Sequence, residues 1–389
     1  MRNALRKICR RFLPYPRIFV VIFALGIFAN MPYAAEEEPD DFTVRLEEIR
    51  KDRGLPALAA AAIRHGKIVI NAAAGVRRLG ADEAVMTDDL WQLGSCTKSM
   101  TATVAGMLVD EGKLSWRSTI GDVFPELQET MRPSWRTVTL EQLLTHRSGA
   151  PANPPVDLWA EALEQKGTPT EQRLAILRGT VSLAPQEPHG RKFIYSNEGY
   201  AIAGAMMERV TGSSWEELMR DRLFEPLGMS TAGFGAPADG GRTNQPWGHS
   251  GEMGELRPVT PGPLADNPPA IAPAAAVHAS LVDLARYASW HSDWHRAEPR
   301  LLTEETYNKL HQRAPGQDYA MGWLLEYRDW DGGDVMWHTG SNSNFYAVMW
   351  VAPDKDAAFV AATNAAHSEA DDACNDAVIA LIKRVLGKY

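Results

Sequence analysis

The sequence has few cysteines, which a protein stabilised by disulfides or by a structural metal would need. It contains 3 cysteines in 389 residues, and no C-x-x-C pair occurs among them, so neither a disulfide framework nor a cysteine zinc site is expected. With 45% apolar and 23% charged residues, the composition is that of a folded globular protein, which excludes disordered, collagen-like and coiled-coil chains. The fold must therefore rest on a hydrophobic core, and a chain of this length favours two lobes.

Positive charge is scarce beyond the first 35 residues. Residues 1–35 hold 6 of the 40 Lys and Arg residues and none of the 49 Asp and Glu residues, which leaves 34 against 49 in the remainder. Such an acidic excess disfavours a nucleic-acid partner.

Long apolar runs are also lacking. The run Ile18–Ala29 has 12 residues, whereas about 20 are needed to span a bilayer. Because basic residues precede this run and Ala34-Ala35 follows it, we predict a signal peptide in residues 1–35 and an exported protein, periplasmic or secreted. An uncleaved membrane anchor is the alternative.

Strand patterns lie near both ends of the remaining chain. Residues 57–63 and 68–74 flank His65-Gly66-Lys67, which predicts a β-hairpin, and four apolar stretches after residue 319 predict further strands. Helical periods predominate between them. Ser213 and Glu216 predict a capping box that begins a helix running to Leu223.

This order of elements predicts how the chain is divided. We expect one domain over residues 36–389, with an α/β lobe built from about 40–90 and 315–389. A helical and loop-rich lobe, over about 91–314, is inserted between them and includes a Pro- and Gly-rich stretch at 231–280.

Ser95 and Lys98 are the first candidates for chemistry. They lie three residues apart at the start of a predicted helix, so they share one face. A neutral Lys98 could take the Ser95 proton, and the helix N-terminus would favour an oxyanion beside the serine. The alternative is a capping serine beside a solvated lysine, because S-x-x-K is a weak pattern by itself.

Two further groups of polar residues follow. In Tyr195-Ser196-Asn197, Tyr195 could shuttle a proton while Asn197 holds the Lys98 amine and a substrate carbonyl; an ordinary Ser-Asn turn is the alternative. His338-Thr339-Gly340-Ser341 ends a predicted strand, where backbone groups could line an acyl site. Its alternative is an ordinary strand end with a satisfied histidine.

These three boxes, in this order, resemble the serine β-lactamase and penicillin-binding-protein superfamily. Tyr195-Ser196-Asn197 is similar to the class C β-lactamase branch, and so are three supporting stretches: Leu143–Gly149, Pro226–Met229 and Ser280–Tyr287. The resemblance covers roughly residues 42–388. It implies a β-lactamase/transpeptidase-like α/β (α+β) fold, with an antiparallel sheet flanked by helices, an inserted helical lobe, and the active site between them.

The resemblance also implies an acyl-enzyme mechanism. Ser95 attacks, Lys98 and Tyr195 manage its proton, and the backbone N–H groups of Ser95 and Ser341 hold the oxyanion. The remaining implied substrate residues are Asn197, His338, Thr339 and Gly340. Which of Lys98 and Tyr195 is the general base stays open, and each is expected to need a lowered pKa. The partner is a small-molecule or peptide substrate.

No cofactor is implied, and no metal site is expected. His291 and His295 have a metal-capable spacing, but the glutamate of H-E-x-x-H is absent. A G-x-S-x-G elbow is also absent, which disfavours an α/β-hydrolase.

The third box departs from the Lys-Thr-Gly of most class C β-lactamases. His-Thr-Gly is found in some secreted D-Ala-D-Ala carboxypeptidases, D-amino-acid peptidases and esterase relatives. Histidine, with a reference pKa of about 6.5, is mostly neutral at pH 7, so His338 argues against a dedicated β-lactamase. We hypothesise that activity on carboxylate-bearing substrates increases as His338 protonates.

We therefore predict an exported serine hydrolase that cleaves an ester or amide of peptide, D-amino-acid or β-lactam type. The alternative is a penicillin-binding or peptidoglycan-fragment-sensing protein with little turnover.

Overall fold

The structure, a computed structural model, describes residues 41–387, so the predicted signal peptide at 1–35 lies outside the described residues. The strands are β1 Ala57–Arg64, β2 Lys67–Gly75, β3 Leu90–Gln92, β4 Gly233–Phe234, β5 His249–Ser250, β6 Arg257–Pro258, β7 Val277–Ser280, β8 Leu324–Arg328, β9 Gly333–Ser341, β10 Tyr346–Ala352 and β11 Ala357–Thr363. The α-helices are α1 Asp41–Asp52, α2 Thr97–Asp110, α3 Ile120–Val123, α4 Pro133–Arg136, α5 Leu140–Leu144, α6 Val156–Leu163, α7 Pro169–Ser182, α8 Asn197–Thr211, α9 Trp215–Met219, α10 Ala272–Ala275, α11 Leu281–Trp290, α12 Glu304–Leu310 and α13 Ala370–Leu386. No helix within residues 41–387 is long and apolar enough to cross a membrane.

The main sheet joins the two ends of the described chain. Its six strands are ordered β2-β1-β11-β10-β9-β8, and every neighbouring pair is antiparallel. The predicted hairpin between β1 and β2 closes at His65-Gly66, where both residues have positive φ, as a two-residue primed turn requires. The predicted antiparallel sheet is confirmed.

Both faces of this sheet are buried. Alternate residues of β1 enter different clusters, with Ala59 and Ala61 on the face toward the helical lobe and Ala60 and Ala62 on the face covered by α1 and α13. Burial on both faces explains why β1 has a continuous apolar sequence without alternation.

The helical lobe shares the core on one face of the sheet. Apolar side chains of α2, α8 and α11 belong to the same buried cluster as that face. The Pro- and Gly-rich stretch contains only short elements, among them β4 and β7. In a small second sheet ordered β3-β7-β4, the central strand β7 pairs with both β3 and β4. Because β3 ends three residues before Ser95, this small sheet anchors the segment that carries the serine.

One predicted helix start is wrong by one residue. The residue that caps α9 is Ser214, whose hydroxyl accepts from Glu217 N, and Glu217 completes the capping box. The α-helix ends at Met219 and continues as a π-helical turn, Arg220–Phe224. Ser213 and Ser214 both precede a glutamate by three residues, so the sequence pattern could not separate them.

Candidate active site

Ser95 lies in a 3₁₀ turn, Gly94–Cys96, that leads directly into α2. Within residues 91–100, Ser95 is the one residue that is not fully buried. Its neighbour Cys96 is buried in the packing, with Sγ 3.5 Å from the carbonyl oxygen of His338. Burial raises the pKa of the Cys96 thiol to about 12, which leaves Ser95 as the candidate nucleophile of this turn.

Lys98 lies one helical turn beyond Ser95 and is completely buried. Its Nζ is 2.9 Å from Ser95 Oγ, 2.7 Å from Asn197 Oδ1 and 3.1 Å from the carbonyl oxygen of Ala274. Burial lowers the pKa of Lys98 well below its ordinary value, because an ammonium loses its hydration there. The predicted pairing of Ser95 with Lys98 is therefore present, and burial favours the neutral amine.

Tyr195 stands over the same lysine. Nζ of Lys98 is 4.6 Å from the centre of the Tyr195 ring, and the phenol hydrogen-bonds to Ser95. The expectation of a lowered pKa is wrong for this residue. Burial raises the pKa of Tyr195, although the hydrogen bond to Ser95 opposes the shift, so the side chain is a neutral phenol.

Asn197 begins α8, which Ser196 caps by accepting from Gly199 N. The Asn197 carboxamide is held at both ends, because its Oδ1 accepts a hydrogen bond from Lys98 Nζ and its Nδ2 donates one to Asn153 Oδ1 at 2.8 Å. Sequence reasoning missed Asn153, which lies in a loop without a motif of its own.

The end of β9 packs against the serine turn. A Cβ placed on Gly340 would lie 2.5 Å from Ser95 N, and one placed on Gly94, whose φ is +48°, would lie 2.4 Å from Ser341 N. Glycine at both positions lets the two backbones approach. The two predicted oxyanion donors, the N–H groups of Ser95 and Ser341, are thus brought to one place.

The same end of β9 has an open edge. Pairing with β8 ends at Leu324 opposite Trp337, and in the described part of the chain no strand pairs with residues 338–341 on that side.

Comparison with known proteins agrees with this geometry. The Beta-lactamase family profile matches residues 42–383. The chain belongs to the β-lactamase family. It is a serine hydrolase with the β-lactamase/transpeptidase-like fold.

Three similar proteins show the extent of sequence and structural similarity between this β-lactamase family member and known proteins. It is 29% identical over 332 residues to penicillin-binding protein 4 of Amycolatopsis lactamdurans, covering 82% of this chain and 84% of the relative. It is 25% identical over 323 residues to the unguisins hydrolase of Aspergillus campestris, covering 78% of this chain and 57% of the relative. The octameric penicillin-binding protein homologue from Pyrococcus abyssi superposes with a TM-score of 0.71 at 25% identity, covering 89% of this chain and 77% of that one.

His338 of this family member is connected to His146 through the hydroxyl of Tyr319. His146 Nδ1 accepts from Ser196 N at 3.0 Å, so its Nε2 carries the hydrogen that faces the Tyr319 hydroxyl at 3.1 Å. The Tyr319 oxygen is 3.5 Å from His338 Nε2, and His338 Nδ1 is 2.5 Å from the carbonyl oxygen of Thr339. Both ring nitrogens of His338 thus face protein groups.

This enclosure corrects the hypothesis about His338 protonation. Burial, with a smaller contribution from the nearby Lys98 amine, lowers the pKa of His338 to about 3, so the ring is neutral throughout the ordinary working range. His146 is buried against Tyr195, with ring centroids 4.3 Å apart. Sequence reasoning missed Tyr319, because a tyrosine before a strand carries no distinguishing signal.

Thr339 differs from its neighbours in the third box. It pairs with Val348 of β10, whose side chain packs on the α1 and α13 face, and its hydroxyl bonds to the Tyr346 phenol. Since side chains alternate along a strand, the Thr339 side chain lies on the face opposite His338. The prediction that Thr339 lines the acyl site therefore rests on its backbone groups.

The two histidines with metal-like spacing do not converge. His291 is buried and pairs through Nδ1 with His311 Nε2 at 3.0 Å, whereas His295 is exposed. Within residues 41–387, no group of three or more His, Cys, Asp or Glu side chains is placed to hold a metal ion.

Proposed function

We propose that this protein hydrolyses an ester or amide through an acyl-enzyme on Ser95, with Lys98 as the general base. The contact that carries the proposal is the 2.9 Å approach of Lys98 Nζ to Ser95 Oγ. A neutral amine has two hydrogens and one lone pair. Asn197 Oδ1 and the Ala274 carbonyl accept the two hydrogens, which leaves the lone pair for the serine proton.

In the first step, Ser95 Oγ bonds to the acyl carbon while its proton passes to Lys98, and the carbonyl electron pair becomes an oxyanion. The N–H groups of Ser95 and Ser341 stabilise that charge. The bond to the leaving group then breaks, and the leaving group takes the proton from Lys98 through the neutral phenol of Tyr195. Water then attacks the acyl carbon and gives its proton to Lys98 through Tyr195. The bond between the acyl carbon and Ser95 Oγ breaks, Oγ takes the proton back from Lys98, and the acid is released.

We also propose that the preferred substrates lack a carboxylate beside the scissile bond. Where most class C β-lactamases have lysine, this chain has a buried, neutral histidine whose two nitrogens face Tyr319 and the Thr339 carbonyl. A neutral ring with no open nitrogen cannot anchor a carboxylate by charge. Neutral esters and amides fit this site better than penicillins, which carry a carboxylate.

The test is intact mass and turnover with three substrates: a p-nitrophenyl ester, a D-amino-acid p-nitroanilide and a penicillin. We expect ester or anilide turnover that is lost in Ser95→Ala, and a kcat/KM for penicillin lower by at least tenfold. Efficient penicillin turnover would overturn the substrate preference alone. Failure of every substrate to acylate Ser95 would overturn the proposed reaction, and a penicillin adduct lasting hours without ester turnover would favour a sensing role.

We further propose that the enzyme is exported through its N-terminal segment. The support is the sequence of residues 1–35, with six basic residues, no acidic residue and the 12-residue run Ile18–Ala29. The mass of the protein recovered from a secreting host tests this. Cleavage near residue 35 is expected, whereas full-length protein retained in the membrane fraction would indicate an anchor, and full-length protein in the cytosol would contradict export.

A further inference from the structure

The turn that follows Ser341 is organised by one side chain, that of Asn342. Its Oδ1 accepts from the backbone N–H groups of Asn344 at 3.2 Å and Phe345 at 3.0 Å. Its Nδ2 faces three acceptors: Gln92 Oε1, Asp266 Oδ1 at 3.1 Å and the Ala265 carbonyl at 3.5 Å. The carboxamide is therefore engaged at both ends.

These partners belong to separate segments that meet at the oxyanion site. Gln92 ends β3, three residues before Ser95, and is 2% exposed. Ala265 and Asp266 lie in the Pro- and Gly-rich stretch. Asn342 itself comes directly after Ser341, so one side chain ties the strand that supplies one oxyanion donor to the strand that leads to the other.

The backbone of this turn needs such a tie. Ser343 has a φ of +74°, in the left-handed region that residues other than glycine, asparagine and aspartate rarely adopt. A backbone in that region persists where surrounding contacts hold it. The two hydrogen bonds to Asn342 Oδ1 enclose Ser343 and supply that restraint.

We propose that Asn342 is a positioning residue of the oxyanion site, which holds the Ser341 N–H beside the Ser95 N–H by tying β9 to β3 and to residues 265–266. The inference rests on the proposed function, since it assigns a cause to the geometry of the same reaction. Asn342 makes no contact with Ser95, Lys98 or Tyr195 among the hydrogen bonds of the described residues, so its effect on catalysis is indirect.

The primary variant is Asn342→Ala, assayed with the neutral ester at pH 8. Burial raises the pKa of Asp266 to about 7, so its carboxylate is ionised at this pH. We expect kcat to fall on the order of 10–100-fold, part of the cost of losing one oxyanion donor, with KM changed less than about threefold. Affinity for a phenylboronic acid, whose tetrahedral adduct on Ser95 occupies the oxyanion site, should fall by a similar factor.

Exchanging the hydrogen-bond donor and acceptor between residues 342 and 266 distinguishes a positioning role of Asn342 from a general loss of structure. Asn342→Asp removes the donor toward Asp266 and places two acids together, so its kcat should fall at least as far. Adding Asp266→Asn restores a hydrogen bond of opposite polarity, and Gln92 can turn its amide to match. The double variant should recover at least tenfold in kcat, a coupling that independent sites would not show.

Asn344→Ala is the matched control, because Asn344 Nδ2 also donates to the Ala265 carbonyl, at 3.2 Å. Its kcat should stay within about threefold of wild type, and its melting temperature should fall less than that of Asn342→Ala, because fewer hydrogen bonds are lost. The inference is overturned if Asn342→Ala keeps wild-type kcat and boronate affinity, or if the double variant recovers nothing while all variants are folded. Failure of the wild type to acylate Ser95 would instead count against the proposed function.

Discussion

Nζ of Lys98 lies 2.7 Å from Oδ1 of Asn197, and this contact joins the first turns of two helices 99 residues apart in sequence. Each helix presents its positive end at this point, which disfavours an ammonium. Burial acts in the same direction. The position of Lys98 at these two helix N-termini, together with its burial, therefore favours the neutral amine that the proposed mechanism requires.

Asn197→Asp should move the acidic limb of the kcat/KM profile to higher pH by about 1–3 units. A carboxylate in place of Oδ1 stabilises the ammonium of Lys98 and raises its pKa, so the neutral amine appears only at higher pH. The measurement is the pH profile for a neutral ester. Asn153→Asp is the control, because Asn153 contacts Asn197 Nδ2 and not Lys98, and its shift should be smaller. An unmoved limb in Asn197→Asp would show that Lys98 is not the titrating base.

Tyr195→Phe should lower kcat on the order of 10²–10³-fold, within the range for loss of a proton-transfer group. The residual activity should keep the wild-type acidic limb, because that limb belongs to Lys98. Burial holds the phenol neutral, so wild-type activity should also show no rise that tracks phenolate formation. If the acidic limb disappears in Tyr195→Phe, Tyr195 is the base and the assignment of roles reverses.

Gly340→Ala should abolish most activity while leaving the fold recognisable. Its Cβ would lie 2.0 Å from the Leu93 carbonyl oxygen and 2.5 Å from Ser95 N, so the serine turn and β9 must separate. Gly262→Ala is the control, since a Cβ there meets nothing within 4 Å. Kinetics and circular dichroism of both variants check this. Wild-type kcat in Gly340→Ala would mean that the close approach is not required for oxyanion stabilisation.

The His291 and His311 pair should make stability depend on pH. Burial lowers the pKa of His291 and lowers that of His311 to about 3, so the unfolded chain binds protons that the folded chain does not. Their contribution to the free energy of unfolding is fully present above the unfolded-state pKa of about 6.5, and it is lost as the pH falls toward 3. The limiting slope is about 1.4 kcal/mol per pH unit for each ring.

Urea unfolding between pH 7 and pH 4 measures this dependence. The free energy of unfolding of His311→Gln should decrease less steeply than that of wild type as the pH is lowered. That of His295→Gln, a change at an exposed position, should follow the wild-type curve. Parallel slopes for His311→Gln and wild type would contradict a buried neutral pair. The buried His146 and His338 remain in all these proteins, so a residual slope is expected.

Local sequence was sufficient where neighbours in the chain decide the outcome. The β1–β2 hairpin followed from two apolar runs around His65-Gly66, and the adjacency of Ser95 and Lys98 followed from one turn of helix. The α9 cap was displaced by one residue because Ser213 and Ser214 offer the same pattern. Tyr319, Asn153 and Asn342 escaped prediction because each acts through partners more than 40 residues away.

The sequence by itself determined the family and the order of the three boxes, and it indicated the candidate nucleophile, because these depend on residue types at fixed spacings. Only the tertiary structure decided the charge states of the site. Desolvation depends on which segments pack around a group, so burial lowers the pKa of Lys98 and His338 while it raises that of Tyr195. The same spacing of residues on an open surface would leave a charged lysine and a titrating histidine.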